Sequence, residues 1–384
     1  MALYDLFSNQ IIDDSACVDS ENFSSKDKVK IVDLFSGVGG FHFGIAASAS
    51  KINKGVKPIL VSDIEASCQL TYNKNFNVDV CGDIYEIPLS EYTKSHVDIV
   101  TAGFPCQPFS NSGKKLGLAD DRGQFYYRIE EIIKYFNSKS FILENVPGIL
   151  TNGGGSYQAQ LSFYPRRIGM TMKFLEENLL KLKDYCIKWI ELDSSLFGSP
   201  QVRKRVYVIG IHRDFTNSLE LAFKSYLPKS FITIAEDRII PELEMTKSQL
   251  SNLISFMKVP PSYMNGMRRV GNAYLCKGGN IGQGYHSYGK VPTLTKVWAR
   301  FLPIYFPHES ENLPNLNERI FIPNKFYGKG YFRKASVRET ARLQGFPDHY
   351  MPHDNKNIAY QHSGNAVNSK VVREISDNIF RYIF

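Results

Sequence analysis

Cys106 sits in the run Gly103-Phe104-Pro105-Cys106-Gln107-Pro108-Phe109-Ser110. The prolines on either side fix the backbone and remove competing N–H donors. A thiol held in such a turn is a candidate nucleophile, because its thiolate attacks electron-poor carbon once a nearby cation favours ionisation. Suitable partners follow: Glu144 in Glu144-Asn145-Val146-Pro147, then Arg203 and Arg205 in Gln201-Val202-Arg203-Lys204-Arg205. Arginines two residues apart project to one side if the segment is extended. A cysteine, a glutamate and two arginines converging on one crevice form an active-site hypothesis. Residues 111–123 are punctuated by glycine and carry Lys114, Lys115 and Arg122, which predicts a loop that closes over a substrate.

A second constellation lies nearer the N-terminus. Asp33-Leu34-Phe35-Ser36-Gly37-Val38-Gly39-Gly40-Phe41 reads as a strand entering a glycine turn, where the backbone can approach a ligand closely. It lacks the third glycine of the dinucleotide fingerprint, since position 42 is His. Asp63 closes the next apolar run and Asp83 the one after, so two carboxylates follow the turn. Together they suit a nucleoside cofactor, whose ribose hydroxyls and adenine amino group need acceptors. Each could equally be a helix cap. No phosphate-binding loop of the G-x-x-x-x-G-K-[ST] form is present, so nucleotide triphosphate hydrolysis is not expected.

Both constellations need a sheet to position them. Residues 30–35, 58–62, 97–102 and 140–143 are short, β-rich and apolar on both faces, while 186–192 alternates and 205–211 is nearly continuous. Helical patterns fall at 41–49, 64–74, 124–136 and 171–183. Doubly buried strands separated by helices predict a mostly parallel sheet in an α/β domain. The carboxyl ends of such strands form the ligand crevice, and that is where Asp63, Cys106 and Glu144 fall. From about residue 213 to 332 the pattern turns irregular, and helical signals return at 336–344 and 365–382. The expected organisation is a polar extension (1–28), a catalytic and cofactor-binding domain (29–212), an insertion (213–332) and a C-terminal return (333–384).

Composition narrows the partners. With 384 residues, 43% hydrophobic and 22% charged, the chain is neither wholly disordered nor a membrane span. Its start has no basic leader and no apolar core, so an intracellular, cytoplasmic protein without a membrane role is expected. The cysteines have no metal-ligand or disulfide spacing, so no metal is expected and the other five are read as small apolar side chains. Charge is uneven. Residues 1–28 hold Asp5, Asp13, Asp14, Asp19, Glu21 and Asp27 against Lys26 and Lys28, although the whole chain is +8. Residues 252–300 hold Lys258, Arg268, Arg269, Lys277, Lys290, Lys296 and Arg300 and no acid, interleaved with Tyr263, Tyr274, Tyr285, Tyr288 and Trp298. Clustered cations with aromatics and flexible glycines predict a nucleic-acid-binding face.

The series DLFSGVGGF, GFPCQPFS, ENVPG, QVRKR, RETARLQGFP (residues 338–347) and GNAV (364–367) resembles the DNA cytosine-5 methyltransferases, in order and at family spacing. The resemblance covers roughly residues 29–212 and 333–384. It implies a Rossmann-like S-adenosylmethionine-dependent sheet with a smaller, irregular target-recognition domain inserted at the acid-free stretch. S-adenosyl-L-methionine would lie over Phe35, Gly37, Gly39 and Gly40, with its ribose at Asp63 and its adenine at Asp83 and Ile84. Pro105 and Asn365 would complete the wall. Where the family usually has glutamate this chain has Asp63, and Ile64 follows where a tryptophan is common.

By the same resemblance, Cys106 adds to C6 of an extruded cytosine, Glu144 holds or protonates N3, and Arg205 with Arg203 holds O2. Extrusion follows from chemistry, since stacking blocks the ring face that the thiolate must reach. The expected partner is double-stranded DNA. Gln107, Ser110, Lys114 and Arg122 would meet it from the loop, and Arg268, Arg269, Asn272, Gln283 and Lys296 from the insertion. A monomeric bacterial modification enzyme, paired functionally with a restriction endonuclease, is the expected setting. A tRNA cytosine-5 methyltransferase on the same frame and a catalytically inactive DNA-binding regulator are the alternatives.

Overall fold

Strand β1 (Lys28–Leu34) is buried from Ile31 onwards and pairs in parallel with β2 (Gly55–Ser62) and β3 (Ile99–Ala102). β4 (Ser140–Asn145), buried throughout, adds in parallel beside β3. From β5 (Tyr185–Asp193) the chain passes through a short β6 (Gln201–Val202) into β7 (Lys204–His212). That link is too brief for a helical crossover, so β7 turns back antiparallel between β4 and β5. The sheet order is β2-β1-β3-β4-β7-β5, and an isolated parallel bridge from Ser62 to Cys81 extends it beyond β2. Every run read as a strand from the sequence lies in this sheet.

The computed structural model describes residues 27–94, 96–105, 124–152, 168–224, 226–227, 229–236, 240–243, 268–270, 273–275, 285–286, 290–296, 299–307 and 330–384.

Period-two alternation splits the core between the two faces of the sheet. Val32, Leu34 and Val100 pack against Ile129 and Ile133 of α3 (Gln124–Tyr135) and Met172 and Leu175 of α4 (Met170–Leu179). Val29, Ile31, Ile99 and Ile209 face the other way, onto Phe41, Ile45 and Ala49 of α1 (Gly40–Ser50). The same layer holds Val371, Ile375, Ile379 and Ile383, one stripe of the C-terminal helix, so the first and last helices of the described chain share one core. α2 (Ala66–Phe76) lies outside these layers and buries chiefly Thr71 and Tyr72.

The helix expected over 365–382 is two elements. One helix, α6 (Lys356–Asn365), ends where the expected helix was to begin, and α7 (Ser369–Ile383) starts after a break at Ala366, whose ψ is 144°. Asn368 makes the break, because its side-chain oxygen accepts from the N–H groups of Lys370 and Val371 and so starts a new helix. α6 escaped the sequence reading because its buried side includes Ser363, Gly364 and His362 and gives no apolar stripe.

The described parts of the stretch 213–332 are strand-rich. β8 (Arg268–Val270) and β9 (Ala273–Leu275) pair antiparallel. β11 (Val291–Pro292) pairs in parallel with β6 of the catalytic frame. β10 (Tyr285–His286), β12 (Pro303–Pro307) and β13 (Gly330–Lys334) form a small sheet. Phe231, Val291, Leu294, Leu302 and Ile304 share a core with Leu343 of α5 (Val337–Leu343) and Tyr360 of α6. A buried ion pair fastens this core: Arg333 Nη2 lies 2.6 Å from Glu339 Oε1, which also accepts from Glu236 N–H at 2.8 Å. No described helix is long and apolar enough to cross a membrane.

Candidate active site

Strand register alone places the strand-end residues in a row. Leu34 pairs with both Ser62 and Ala102, Ala102 with Leu143, and Glu144 with Tyr207. Asp63, Phe35, Gly103 and Glu144 therefore leave adjacent strands at one edge of the sheet. The reversal of β7 brings Arg205, near its start, to the same edge as a diagonal cross-strand neighbour of Glu144.

At the β1–β2 end the glycine turn is held by main-chain bonds. Ser36 N–H donates to Ser62 O at 3.0 Å, and Gly37 N–H donates to Asp63 Oδ2 at 2.8 Å. Asp63 Oδ1 also accepts from Glu65 N–H at 2.9 Å. Burial raises the pKa of the Asp63 carboxyl, and these two bonds oppose the rise. Phe35 takes a left-handed φ of 52°, which a non-glycine residue holds only under constraint. Its ring meets Phe125 edge-on at 5.4 Å, and Phe125 in turn stacks on Tyr85 at 5.5 Å.

The three glycines meet different surroundings. A Cβ at Gly37 (φ 53°) would touch nothing within 4 Å among the described residues, whereas one at Gly39 would lie 2.3 Å from the Phe76 ring. At Gly40 it would lie 2.4 Å from the Val367 carbonyl oxygen. So Gly37 borders open space, while the other two are required by packing against α2 and the C-terminal return.

The remaining cofactor candidates fall around this turn. Ile64 is 70% exposed, whereas Ile84 is buried. Asp83 caps a short 3-10 turn, Ile84–Glu86, by accepting from Tyr85 N–H at 3.0 Å. Pro105 is exposed after β3, and Asn365 is exposed at the end of α6. Ser36 Oγ is buried without a partner among the described residues. Open space at Gly37, an orphaned hydroxyl, a carboxylate at the edge and a projecting isoleucine fit an adenosine-bearing cofactor.

At the β3–β4–β7 end, side chains dominate. Arg205 Nε lies 3.0 Å from Glu144 Oε1, and both side chains are largely withdrawn from solvent. Asn145 Nδ2 donates to Phe104 O at 3.1 Å and so ties β4 to the segment entering Cys106. A Cβ at Gly103 would lie 3.8 Å from Glu144 Oε2 and 3.4 Å from Val367 Cγ2. Arg203 and Arg205 have different partners. The strand is interrupted at Arg203 between β6 and β7, and its buried guanidinium donates to main-chain carbonyls of residues 294, 364 and 366.

Cys106, Gln107, Ser110, Lys114 and Arg122 lie outside the described residues, as do Asn272 and Gln283. Arg268 and Arg269 are in β8, with side chains outside the described set. Burial lowers the pKa of the His362 imidazole and raises that of the Cys68 thiol; the charge of Lys296, which is exposed, adds to the first shift and opposes the second, so it lies near α2 and α6. Among the described residues no group of three or more His, Cys, Asp or Glu could hold a metal ion.

A buried polar network beneath the turn was not anticipated. Asp33 shares the α1 face of β1 with Val29 and Ile31. Thr101 Oγ1 donates to it at 2.7 Å, and the Tyr72 hydroxyl approaches it at 3.5 Å and His42 Nδ1 at 2.8 Å. Burial pushes the Asp33 carboxyl up to about 8 and the His42 imidazole down to about 3, so both are uncharged at neutral pH. An aspartate inside an otherwise apolar strand was the available signal.

The family model for C-5 cytosine-specific DNA methylase matches residues 29–381. The type II methyltransferase M.HpaII of Haemophilus parainfluenzae is 30% identical over 352 residues, covering 90% of this chain and 87% of that protein. M.BanI of Aneurinibacillus aneurinilyticus is 27% identical, covering 92% of this chain and 96% of its own. Among solved structures, the Entamoeba histolytica methyltransferase EhMeth superposes with a TM-score of 0.66 at 18% identity, covering 93% of this chain and 99% of that one. A putative DNA modification methyltransferase from an E. coli prophage does so at 0.58 and 20%, covering 93% and 99%. This chain therefore belongs to the C-5 cytosine-specific DNA methylases, enzymes that methylate DNA cytosine with S-adenosylmethionine as methyl donor.

Proposed function

We propose that the chain methylates C5 of a cytosine flipped out of duplex DNA, through a covalent adduct between Cys106 and C6. The observation that carries the reading is the Glu144–Arg205 pair, 3.0 Å apart on neighbouring strands and beside the residues that enter Cys106. In this reading Arg205 binds O2 and Glu144 meets N3, so charge that develops on the ring as the sulfur adds is neutralised at both positions. The Cys106 thiolate forms the C–S bond at C6, the ring electrons move toward C5 and N3, and Glu144 supplies a proton to N3. Bound S-adenosylmethionine supplies the electrophilic methyl group. Once C5 carries the methyl group, a base takes the C5 proton, the returning electron pair breaks the C–S bond and restores the thiolate, and N3 gives its proton back to Glu144.

Phe35, Gly37, Gly39, Gly40, Asp63, Ile64, Asp83, Ile84, Pro105 and Asn365 make the proposed cofactor wall, and Arg203, held by main-chain carbonyls, supports the catalytic group without touching the base. Residues 213–332 act as the target-recognition region between a catalytic unit at 29–212 and its return at 333–384. Gln107, Ser110, Lys114 and Arg122 contact DNA beside the flipped base, and Arg268, Arg269, Asn272, Gln283 and Lys296 read or hold the flanking duplex. Relatives named type II methyltransferases support a role in restriction–modification, with a cognate endonuclease whose cleavage the mark blocks. A monomeric enzyme of the cytoplasm is part of the same proposal.

The test is a DNA substrate carrying 5-fluorocytosine, in which the C5 proton cannot leave. With S-adenosylmethionine present the wild-type protein should remain attached to it through denaturation, and Cys106→Ala should not. A wild-type enzyme that methylates ordinary DNA yet forms no stable adduct would overturn the covalent route.

A further inference from the structure

Arg203 carries more than its place beside Arg205 implies. Nη1 donates to Leu294 O at 3.0 Å and Gly364 O at 3.3 Å, and Nη2 donates to Ala366 O at 2.9 Å. Its Nε is buried without a partner among the described residues. Burial lowers the guanidinium pKa to about 9, with the Arg205 charge adding to the fall and Glu144 opposing it. Burying a cation against carbonyls costs free energy that only a contact with a purpose justifies.

The three carbonyls belong to two segments that meet at this point. The first, residues 290–296, lies inside the stretch proposed for target recognition. It is fixed to the frame by the β6–β11 pairing, by Val291 N–H donating to Pro200 O at 2.9 Å and by Thr293 Oγ1 donating to Val202 O at 2.8 Å. The second, residues 364–367, sits directly on the first, since a Cβ at Gly364 would fall 2.4 Å from the Thr295 carbonyl carbon. Its far side is Val367, which closes against Gly40 of the glycine turn and Gly103 ahead of Cys106.

From this arrangement we infer that Arg203 is a positioning residue that couples the recognition region to the cofactor site, a role resting on the function proposed above. Its guanidinium locks the 290–296 segment onto the 364–367 segment, whose Val367 backs both the methyl-donor turn and the approach to Cys106. A shift of the first segment when DNA docks is thereby passed to the wall that holds the cofactor, and bound cofactor favours the docked arrangement in return.

The experiment measures S-adenosylhomocysteine binding by calorimetry, with and without plasmid DNA, for wild type, Arg203→Lys and Thr293→Val. Lysine keeps the charge but cannot span the three carbonyls. We expect Arg203→Lys to weaken binding about tenfold without DNA and to abolish the tightening that DNA gives the wild type, within the 5–150-fold range usual for such coupling. Thr293→Val, which loosens the same junction outside the guanidinium, should move both quantities the same way by less, and it keeps the test open should the lysine variant not fold. A residue that merely held the fold together would lower the unfolding temperature and leave the DNA-dependent tightening intact. A residue that only touched the base would lower kcat and leave binding without DNA unchanged. Either result overturns the coupling role. Tritiated methyl transfer to plasmid by the wild type checks the underlying function separately, because cofactor binding without DNA is read whether or not transfer occurs.

Discussion

At the β1–β2 end of the sheet edge the chain offers main-chain amides, an apolar rim and a carboxylate already engaged by Gly37 and Glu65. At the β4–β7 end it offers an ion pair of side chains and the approach to Cys106. The first end can select a ligand by shape, and little in it changes charge. The second can answer charge that develops during a reaction. The contrast separates recognition of the cofactor from acceleration of the chemistry, and substitutions at the two ends should therefore fail in different observables.

Glu144→Gln should give the largest effect. It preserves shape but removes the proton donor and the partner of Arg205, and loss of a positioned acid–base group lowers kcat about 10²–10⁴-fold. S-adenosylhomocysteine affinity should stay unchanged. A parallel loss of cofactor affinity would mean that the two ends are not separate. Gly40→Ala probes the other end. The added methyl meets a main-chain oxygen at 2.4 Å, which cannot swing aside as a side chain would. We expect about 1–3 kcal/mol lost from the urea-unfolding free energy, as for other overpacked sites, together with weaker cofactor binding. An unchanged urea midpoint would show that the turn has room to spare.

A third comparison sets Asp33, beneath the cofactor turn, against the paired carboxylate of Glu144, and concerns stability alone. Asp33 keeps its proton in the folded state up to about pH 8, whereas an ordinary aspartate loses it near 3.8. Between those values the folded state binds the extra proton, so this residue makes stability fall as pH rises, by at most about 1.4 kcal/mol per unit. Asp33→Asn should flatten that part of the stability profile in urea titrations across the window. A profile identical to wild type would mean that Asp33 is ionised in the fold.

Much of this was legible in the sequence because it rests on local pattern. Doubly buried runs such as 97–102 and 140–143 became strands β3 and β4, and carboxylates closing such runs reached one edge because parallel strands end together. What escaped depended on contacts between distant residues. Spacing alone put Arg203 and Arg205 side by side, but carbonyls of residues 294, 364 and 366 draw Arg203 elsewhere. The glycines at 37, 39 and 40 look alike in the sequence, and only Phe76 and Val367 distinguish them. The helix break at Ala366 did have a local signal, Asn368, whose capping role was overshadowed by the strong apolar stripe that follows it.

The packing of α7 against α1 has a consequence for how the protein is made. Residues more than three hundred positions apart complete one layer over the sheet. During synthesis, the apolar face of α1 must therefore wait for the end of the chain before it is covered, a long-range closure of the kind that slows folding and leaves nascent intermediates prone to aggregate. Ribosome-bound chains arrested before residue 369 should be cut readily by protease within α1 and bind no methyl donor. Protease resistance of such arrested chains would show that the sheet closes without its last helix.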